Sequence, residues 1–278
     1  MKTYSTPQVR ERKQEVACNL CGMASASDFL SGDDFHFVRC LHCGLVYQNP
    51  QPLFDDLKHR YGQDYFDYER ANEQNFFELM RLGLLDIDFA SLGAQLAERS
   101  FLDVGCATGM LLAHVRQNGW DVQGVEICRQ SAEHGIHARG VPIFTGTLQD
   151  AHFPAAVFSV VHFSHLIEHL TSPRAFLLEV RRILSDDGYA IITTPNVDGF
   201  QAKLFKSKWR SAIADHLYLF TRRTLRSMLA ESGLRVLKEV TWGGIAAGSV
   251  PLFVKKPLDV LAKRLHFGDV MLFLTQKA

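Results

Sequence analysis

The stretch "FLDVGCATGMLLAHVRQNGWDVQGVEI", Phe101 to Ile127, decides how the rest of the chain is read. "FLDVG" is a short apolar run ending in glycine, which suits a strand entering a tight turn. "MLLAHVRQNG" repeats its apolar residues at helical spacing and closes on Gly119. "DVQGVEI" then reads as a second strand. Outward from there the alternation continues with the helix "CRQSAEHGIHARG" and the strands "VPIFTG" and "VFSVVHFS". The helix "PRAFLLEVRRILSDDG" and the strand "YAIITTP" follow. Strands alternating with helices of about ten to fifteen residues predict an α/β fold with a doubly wound, mostly parallel sheet. Ligands of such sheets sit beyond the carboxyl ends of the strands. The turns after the strands are therefore the candidate sites.

The first turn, Asp103 to Gly109, lacks the G-x-G-x-x-G spacing of a pyrophosphate cradle. It has an acid in the strand, a glycine at the turn and a glycine at the helix start. The acid repels phosphate and suits an ammonium group, while a helix N-terminus favours a carboxylate. A ligand with an amino-acid end meets both demands. Glu126 closes the second strand, where a carboxylate accepts ribose hydroxyls. Amino acid at one turn and ribose at the next describe S-adenosylmethionine.

On these residues the chain resembles the class I S-adenosylmethionine-dependent methyltransferases. The resemblance is close over Phe101 to Asn196 and looser to the C-terminus. The family's acidic-x-Gly-x-Gly-x-Gly loop is met by Asp103, Gly105, Ala107 and Gly109, with Ala107 in place of the middle glycine. The resemblance implies cofactor contacts from that loop and from Glu126 and Ile127. It also implies contacts from Thr147 and Leu148 of "GTL" beside the adenine, and from Ser164 and His165 after the fourth strand. It further implies a seven-stranded sheet whose final strand, "DVMLFLTQ", runs antiparallel.

"HLIEH", His165 to His169, matches the H-x-x-E-H pattern of one group of zinc peptidases. It directly follows the fourth strand, and the resemblance implies that the cofactor's methyl end lies there instead. Some quinone-ring O-methyltransferases of this class hold a divalent cation here with acids and a histidine. Glu168 and His169 match part of that pattern, and His165 stands where another acid would be. If the acceptor is a hydroxyl, a base has to take its proton. His165, His169 and His216 are the candidates, with His165 and His216 preferred because His169 has a structural use at a helix start.

Nearer the N-terminus, "CNLCG" (Cys18, Cys21) and "RCLHCG" (Cys40, Cys43) form two C-x-x-C knuckles. Two knuckles predict one four-cysteine structural zinc site in a zinc-ribbon-like module. The expected organisation is a zinc module over 1–55, a linker helix region over 56–98 and the methyltransferase domain over 99–278. In the linker, Phe77, Met80, Leu84 and Ile87 recur at helical spacing from about Glu73 to Glu98.

Thirty basic against thirty acidic residues give no net charge, which weakens a general nucleic-acid-binding reading. The first twenty residues lack a secretory apolar segment, and no run approaches the roughly eighteen apolar residues of a membrane span. A cytoplasmic protein without stable membrane insertion is expected, its six cysteines reduced. After Asn196, Gln201 to Gly233 carries seven Lys/Arg against two acids, with Phe205 and Trp209 interleaved. Lys206, Lys208 or Arg210, with Trp209, is expected to meet a phosphorylated or nucleotide-linked small molecule. "KKPLDVLAKRLHF" reads as a helix with one apolar face. The zinc module and "RCLHCGLVYQNPQP" resemble bacterial enzymes that methylate sugars or glycan precursors. Quinone-type O-methyltransferases and zinc-module rRNA guanine methyltransferases are the alternatives, and the sequence fixes no oligomeric state.

Overall fold

A computed structural model describes residues 11–243, 263 and 266–278. The helix expected around "KKPLDVLAKRLHF" lies almost entirely outside the described residues. The N-terminal part carries five short strands, β1 (Lys13–Gln14), β2 (Ala26–Ser31), β3 (His36–Cys40), β4 (Val46–Gln48) and β5 (Gln51–Pro52). Three helices follow, α1 (Phe54–Leu57), α2 (Gln63–Asp86) and α3 (Phe89–Gln95). The alternating part then runs β6 (Ser100–Val104), α4 (Met110–Gln117), β7 (Asp121–Glu126), α5 (Arg129–Arg139) and β8 (Ile143–Thr145). It continues through β9 (Phe158–Ser164), α6 (Pro173–Ile183), β10 (Leu184–Pro195) and α7 (Phe200–Phe205). The chain closes with β11 (Tyr218–Leu219), α8 (Arg222–Glu231), β12 (Leu234–Trp242) and β13 (Val270–Lys277).

Seven strands form the main sheet in the order β12-β13-β10-β9-β6-β7-β8. β6 pairs in parallel with β7 and β9, and β10 is parallel to β9. β13 is antiparallel to both of its neighbours, as the resemblance implied. Both faces of the sheet are buried, so adjacent residues serve opposite cores. Val160, Ile191 and Leu272 face one apolar cluster, while Val161, Ile192 and Phe273 face the other. That explains the unbroken apolar runs of these strands.

Two boundaries differ from the sequence reading. The linker helix begins ten residues before Glu73, at Gln63, and breaks at Asp88, whose φ is 56°. Leu84 and Ile87 are buried against the sheet, and Phe77 and Met80 pack beside them. Full burial of a Leu or Ile contributes about 1.5–3 kcal/mol, enough to anchor the helix there. The helix expected to reach Gly188 stops at Ile183, and β10 begins at Leu184 with a register shift before Tyr189.

The cysteine region does not stand apart from the sheet. β11 adds to it antiparallel, pairing Tyr218 with Tyr47 and Leu219 with Val46. Leu20, Leu45 and Tyr47 share one apolar cluster with Phe163, Leu217 and Phe220. No helix among the described residues is long and apolar enough to cross a membrane.

Candidate functional site

The turn after β6 is held open by unusual backbone. Gly105, Ala107 and Gly109 all have positive φ, at 72°, 46° and 72°. A Cβ on Gly109 would lie 2.8 Å from Val141 Cγ2, so glycine is required there by both conformation and space. The backbone N–H groups of Gly105 and Cys106 donate to the Val125 carbonyl at 2.8 and 3.2 Å. Ala107 N donates to Glu126 Oε2 at 2.9 Å, and Cys128 N to Oε1 at 2.7 Å. The loop is thereby tied to the end of β7. Burial pushes the Glu126 carboxyl up to about 7, against the pull of those two N–H groups.

These turns open into one cavity of about 2470 Å³. Of the residues chosen from sequence, Gly105, Ala107, Glu126, Ile127, Thr147, Leu148, Ser164 and His165 line it. Asp103 and Gly109 do not. Asp103 points into the protein, where His162 Nδ1 donates to its Oδ1 at 2.7 Å, and both side chains are buried. Thr147 sits in a tight turn, its hydroxyl donating to Asp150 at 2.6 Å.

The opposite wall was not visible in the sequence. Tyr61, just before α2, and Tyr65 and Glu69 in its first two turns line the same cavity. Burial, then the neighbouring Glu126, lifts the Glu69 carboxyl to about 7. Further along α2, Glu73 Oε2 accepts from Thr108 Oγ1 at 3.0 Å and from Arg139 at 2.8 Å. This clamps the helix onto the glycine-rich loop. The segment looked like an acidic linker because its charged and aromatic residues face a cavity rather than a core.

"HLIEH" forms a turn at the end of β9, with a single 3₁₀ turn over Ile167–His169. His165 takes a φ of 52° and faces the cavity. Its Nδ1 lies 3.2 Å from Oε1 of Glu168, which is buried beneath it. That contact is an ion-pair approach rather than an aligned hydrogen bond, and Oε1 has no hydrogen-bond partner. Glu168 Oε2 accepts from Thr194 Oγ1 at 2.9 Å. Burial alone would raise the Glu168 carboxyl, but the imidazoles around it, His165 first, hold it down at about 2.

His216 arrives from the loop before β11 and meets His169 edge to face, ring centroids 4.7 Å apart. Burial pushes His216 down to about 3, so it is neutral and weakly basic at ordinary pH. Its loop is held from the cysteine side. Gln48 Nε2 donates to the Ala214 carbonyl at 2.9 Å, and Arg60 bridges Glu11 and Asp215 at 2.6 Å each.

The expected cationic wall is only partly formed. Lys208 and Arg210 line the cavity, whereas Lys206 does not. Trp209 is buried, and its indole N–H donates to Asp269 Oδ1 at 3.0 Å. It packs with Val197, Ala202 and Ala212, so it belongs to a core and offers no face to a ligand. A buried indole needs one partner for its N–H, and Asp269 supplies it.

The four cysteines converge. Cys18 Sγ lies 3.4 Å from Cys43 Sγ, and Cys21 Sγ lies 3.5 Å from Cys40 Sγ. Sulfurs around a tetrahedral zinc at about 2.3 Å are separated by about 3.8 Å, so the set fits such an ion. Each knuckle makes the same kind of turn, with Gly22 N donating to the Cys18 carbonyl and Gly44 N to that of Cys40.

A family model described as a methyltransferase domain matches residues 73–239. The chain belongs to this methyltransferase family. The matched part of the methyltransferase runs from α2 to β12 and leaves the cysteine knuckles outside. It is 27% identical over 158 residues to a ubiquinone biosynthesis O-methyltransferase of Azoarcus sp. (strain BH72), covering 55% of this chain and 64% of that protein. Against the ubiquinone biosynthesis O-methyltransferase of Chromobacterium violaceum it is 26% identical, covering 45% of this chain and 56% of the relative. The chain thus spans less than two thirds of these curated relatives. A solved S-adenosylmethionine-dependent methyltransferase from Archaeoglobus fulgidus shares the fold, with a TM-score of 0.54 at 19% identity. That likeness covers 77% of this chain and 99% of the other.

Proposed function

We propose that the protein methylates a hydroxyl of a small-molecule acceptor, with S-adenosylmethionine as donor. The observation that carries this reading is that His165, with Glu168 buried beneath it, lines the same cavity as the Glu126 loop. S-adenosylmethionine supplies an electrophilic methyl on a positively charged sulfur. Gly105, Ala107 and Glu126 hold its amino-acid and ribose parts, with Ile127, Thr147 and Leu148 around the base. Asp103 acts one layer back, through His162 and the strand end. Glu168 orients the His165 ring, leaving Nε2 toward the cavity as the base. When bound, S-adenosylmethionine would supply the methyl group and leave as a neutral thioether, and His165 Nε2 would take the proton of the acceptor hydroxyl as its oxygen is methylated. Such a step gains mostly from position and from a water-poor pocket. Cys18, Cys21, Cys40 and Cys43 hold a structural zinc whose four thiolates leave no open position for catalysis. Functionally the chain divides into the cysteine module, the α2 region and the sheet domain, acting together in the cytoplasm.

The cavity is larger than the roughly 300–1,000 Å³ of an ordinary small-molecule site, leaving room for the cofactor and a bulky acceptor. Lys208 and Arg210 on its wall favour an acceptor carrying phosphate, such as a nucleotide-linked sugar. A quinone-ring hydroxyl is the second reading, favoured by the ubiquinone biosynthesis relatives. Transfer of labelled methyl from S-adenosylmethionine to both acceptor classes separates them. Label in the nucleotide-linked sugar, reduced by Arg210→Ala mainly through KM, is expected. Label confined to quinols, or entering rRNA, would overturn the sugar assignment.

A further inference from the structure

On the reading that the cavity holds S-adenosylmethionine, we infer that Glu69 of α2 receives the cofactor's amino group, the part that the loop pattern assigned to Asp103. The cofactor carries an ammonium group at its amino-acid end, and such a group, once out of water, needs acceptors around it. Asp103 is not available, because its carboxylate is buried and taken by His162 Nδ1 at 2.7 Å. Glu126 is held by the N–H groups of Ala107 and Cys128 at the end of β7, where the ribose is expected. Most of the other acids lining the cavity have cations of their own: Glu11 and Asp215 pair with Arg60, and Asp56 with Arg12. Asp33 and Asp34 are exposed between β2 and β3. Glu69 is the acid that remains.

Its place on the helix suits that group. Four residues on, on the same helical face, Glu73 Oε2 accepts from Thr108 Oγ1 at 3.0 Å and from Arg139 at 2.8 Å. Those bonds fix α2 over the glycine-rich loop and leave Glu69, one turn earlier, on the cavity it shares with Gly105 and Ala107. Tyr65, a further turn back, donates its hydroxyl to the Glu69 carboxyl and lines the cavity beside it. The Tyr65 ring meets Tyr61 edge to face, with centroids 5.1 Å apart, so the donor is carried on a packed pair of rings. No cation pairs with Glu69 among the described residues, and the charge that acts on it, Glu126, has the same sign. Two carboxyls on one cavity disfavour each other's ionised form. An ammonium group at Glu69 relieves that repulsion and forms a hydrogen bond that is charge-assisted on both sides.

Titration calorimetry of the full-length protein with two ligands tests the role of Glu69. S-adenosylhomocysteine keeps the amino group and has no sulfonium, whereas 5′-methylthioadenosine lacks the whole amino-acid part and is measured by displacement where it binds weakly. Glu69→Gln keeps the size of the side chain and its bond from Tyr65. It is expected to weaken S-adenosylhomocysteine by about ten- to a hundredfold, the loss of one hydrogen bond between charged groups. 5′-Methylthioadenosine should bind wild type and variant alike, which also shows that the variant is folded. Equal weakening of both ligands would place Glu69 at the ribose or base and overturn the inference, and so would a variant that binds both as tightly as wild type. A wild-type protein that fails to bind S-adenosylhomocysteine would overturn the cofactor site itself, a result told apart from the others because it needs no variant.

Discussion

The four-cysteine cluster and the Glu168–His169–His216 cluster lie in one molecule and are built in opposite ways. The cysteines come as two C-x-x-C knuckles whose sulfurs already stand 3.4 and 3.5 Å apart from one knuckle to the other. Four thiolates would fill all four coordination positions of one zinc ion from the protein itself. The second cluster is gathered from two turns and is rich in imidazole, and its His169 and His216 line a cavity of about 2470 Å³. A closed set of four thiolates would leave an ion no open position, whereas two imidazoles and a carboxylate do not form such a closed set. The two are joined through β4, whose Gln48 pins the loop that delivers His216.

Removing the first cluster tests that link most severely. Structural zinc in small modules is worth about 10–16 kcal/mol of apparent binding, most of it folding energy. Cys40→Ser is therefore expected to unfold strands β2 to β4 and release the loop carrying His216. Methyl transfer should fall to background together with the zinc content, measured by elemental analysis and turnover. Full activity in a zinc-free protein would separate the two regions that the shared sheet joins.

A substitution beside the second cluster should act on chemistry alone. His165→Asn keeps a residue that tolerates positive φ but removes the base. A loss of about 10²–10⁴-fold in kcat is expected, with S-adenosylmethionine affinity and the melting temperature nearly unchanged. Equal losses in affinity and kcat would make His165 a cofactor contact instead.

A smaller effect concerns pH. The Glu126 carboxyl in the free protein sits at about 7, raised by burial. A folded pKa above the unfolded value means that this group's contribution to stability is present below about 4.5 and is lost as pH rises through about 7. Ribose hydroxyls donate to the ionised carboxylate, so cofactor binding favours that form. Affinity should strengthen by up to about tenfold per unit as pH rises toward 7, then level off near 8. Calorimetry in buffers of different ionisation enthalpy should detect the released proton. A flat profile would mean that Glu126 is already ionised before the cofactor arrives.

Much of this arrangement was legible in the chain because its signals are local. The strand and helix order from Phe101 to Pro195 follows from apolar periodicity, and the knuckles follow from spacing. The residues that escaped depend on distant partners. Nothing near Tyr218 announces that it pairs with Tyr47, since a two-residue strand has no periodicity of its own. Glu73 and Arg139 meet over Thr108 across 66 residues, and the charged surface of α2 disguised its contact with the loop. Trp209 looked like a stacking platform among lysines, but Asp269, sixty residues on, draws its indole into the core. Asp103 was expected to meet the ligand directly, because the presence of His162 on the neighbouring strand cannot be read from the loop's own pattern.

The account rests on the cavity beside Gly105 and Glu126 being the S-adenosylmethionine site, and titration calorimetry with its demethylated product needs no knowledge of the acceptor. One molecule per chain is predicted to bind, with Glu126→Ala weakening the interaction by about 1–3 kcal/mol through lost hydrogen bonds to a charged group. Absence of binding to the wild-type protein, or preferential binding of NAD at the same site, would contradict it.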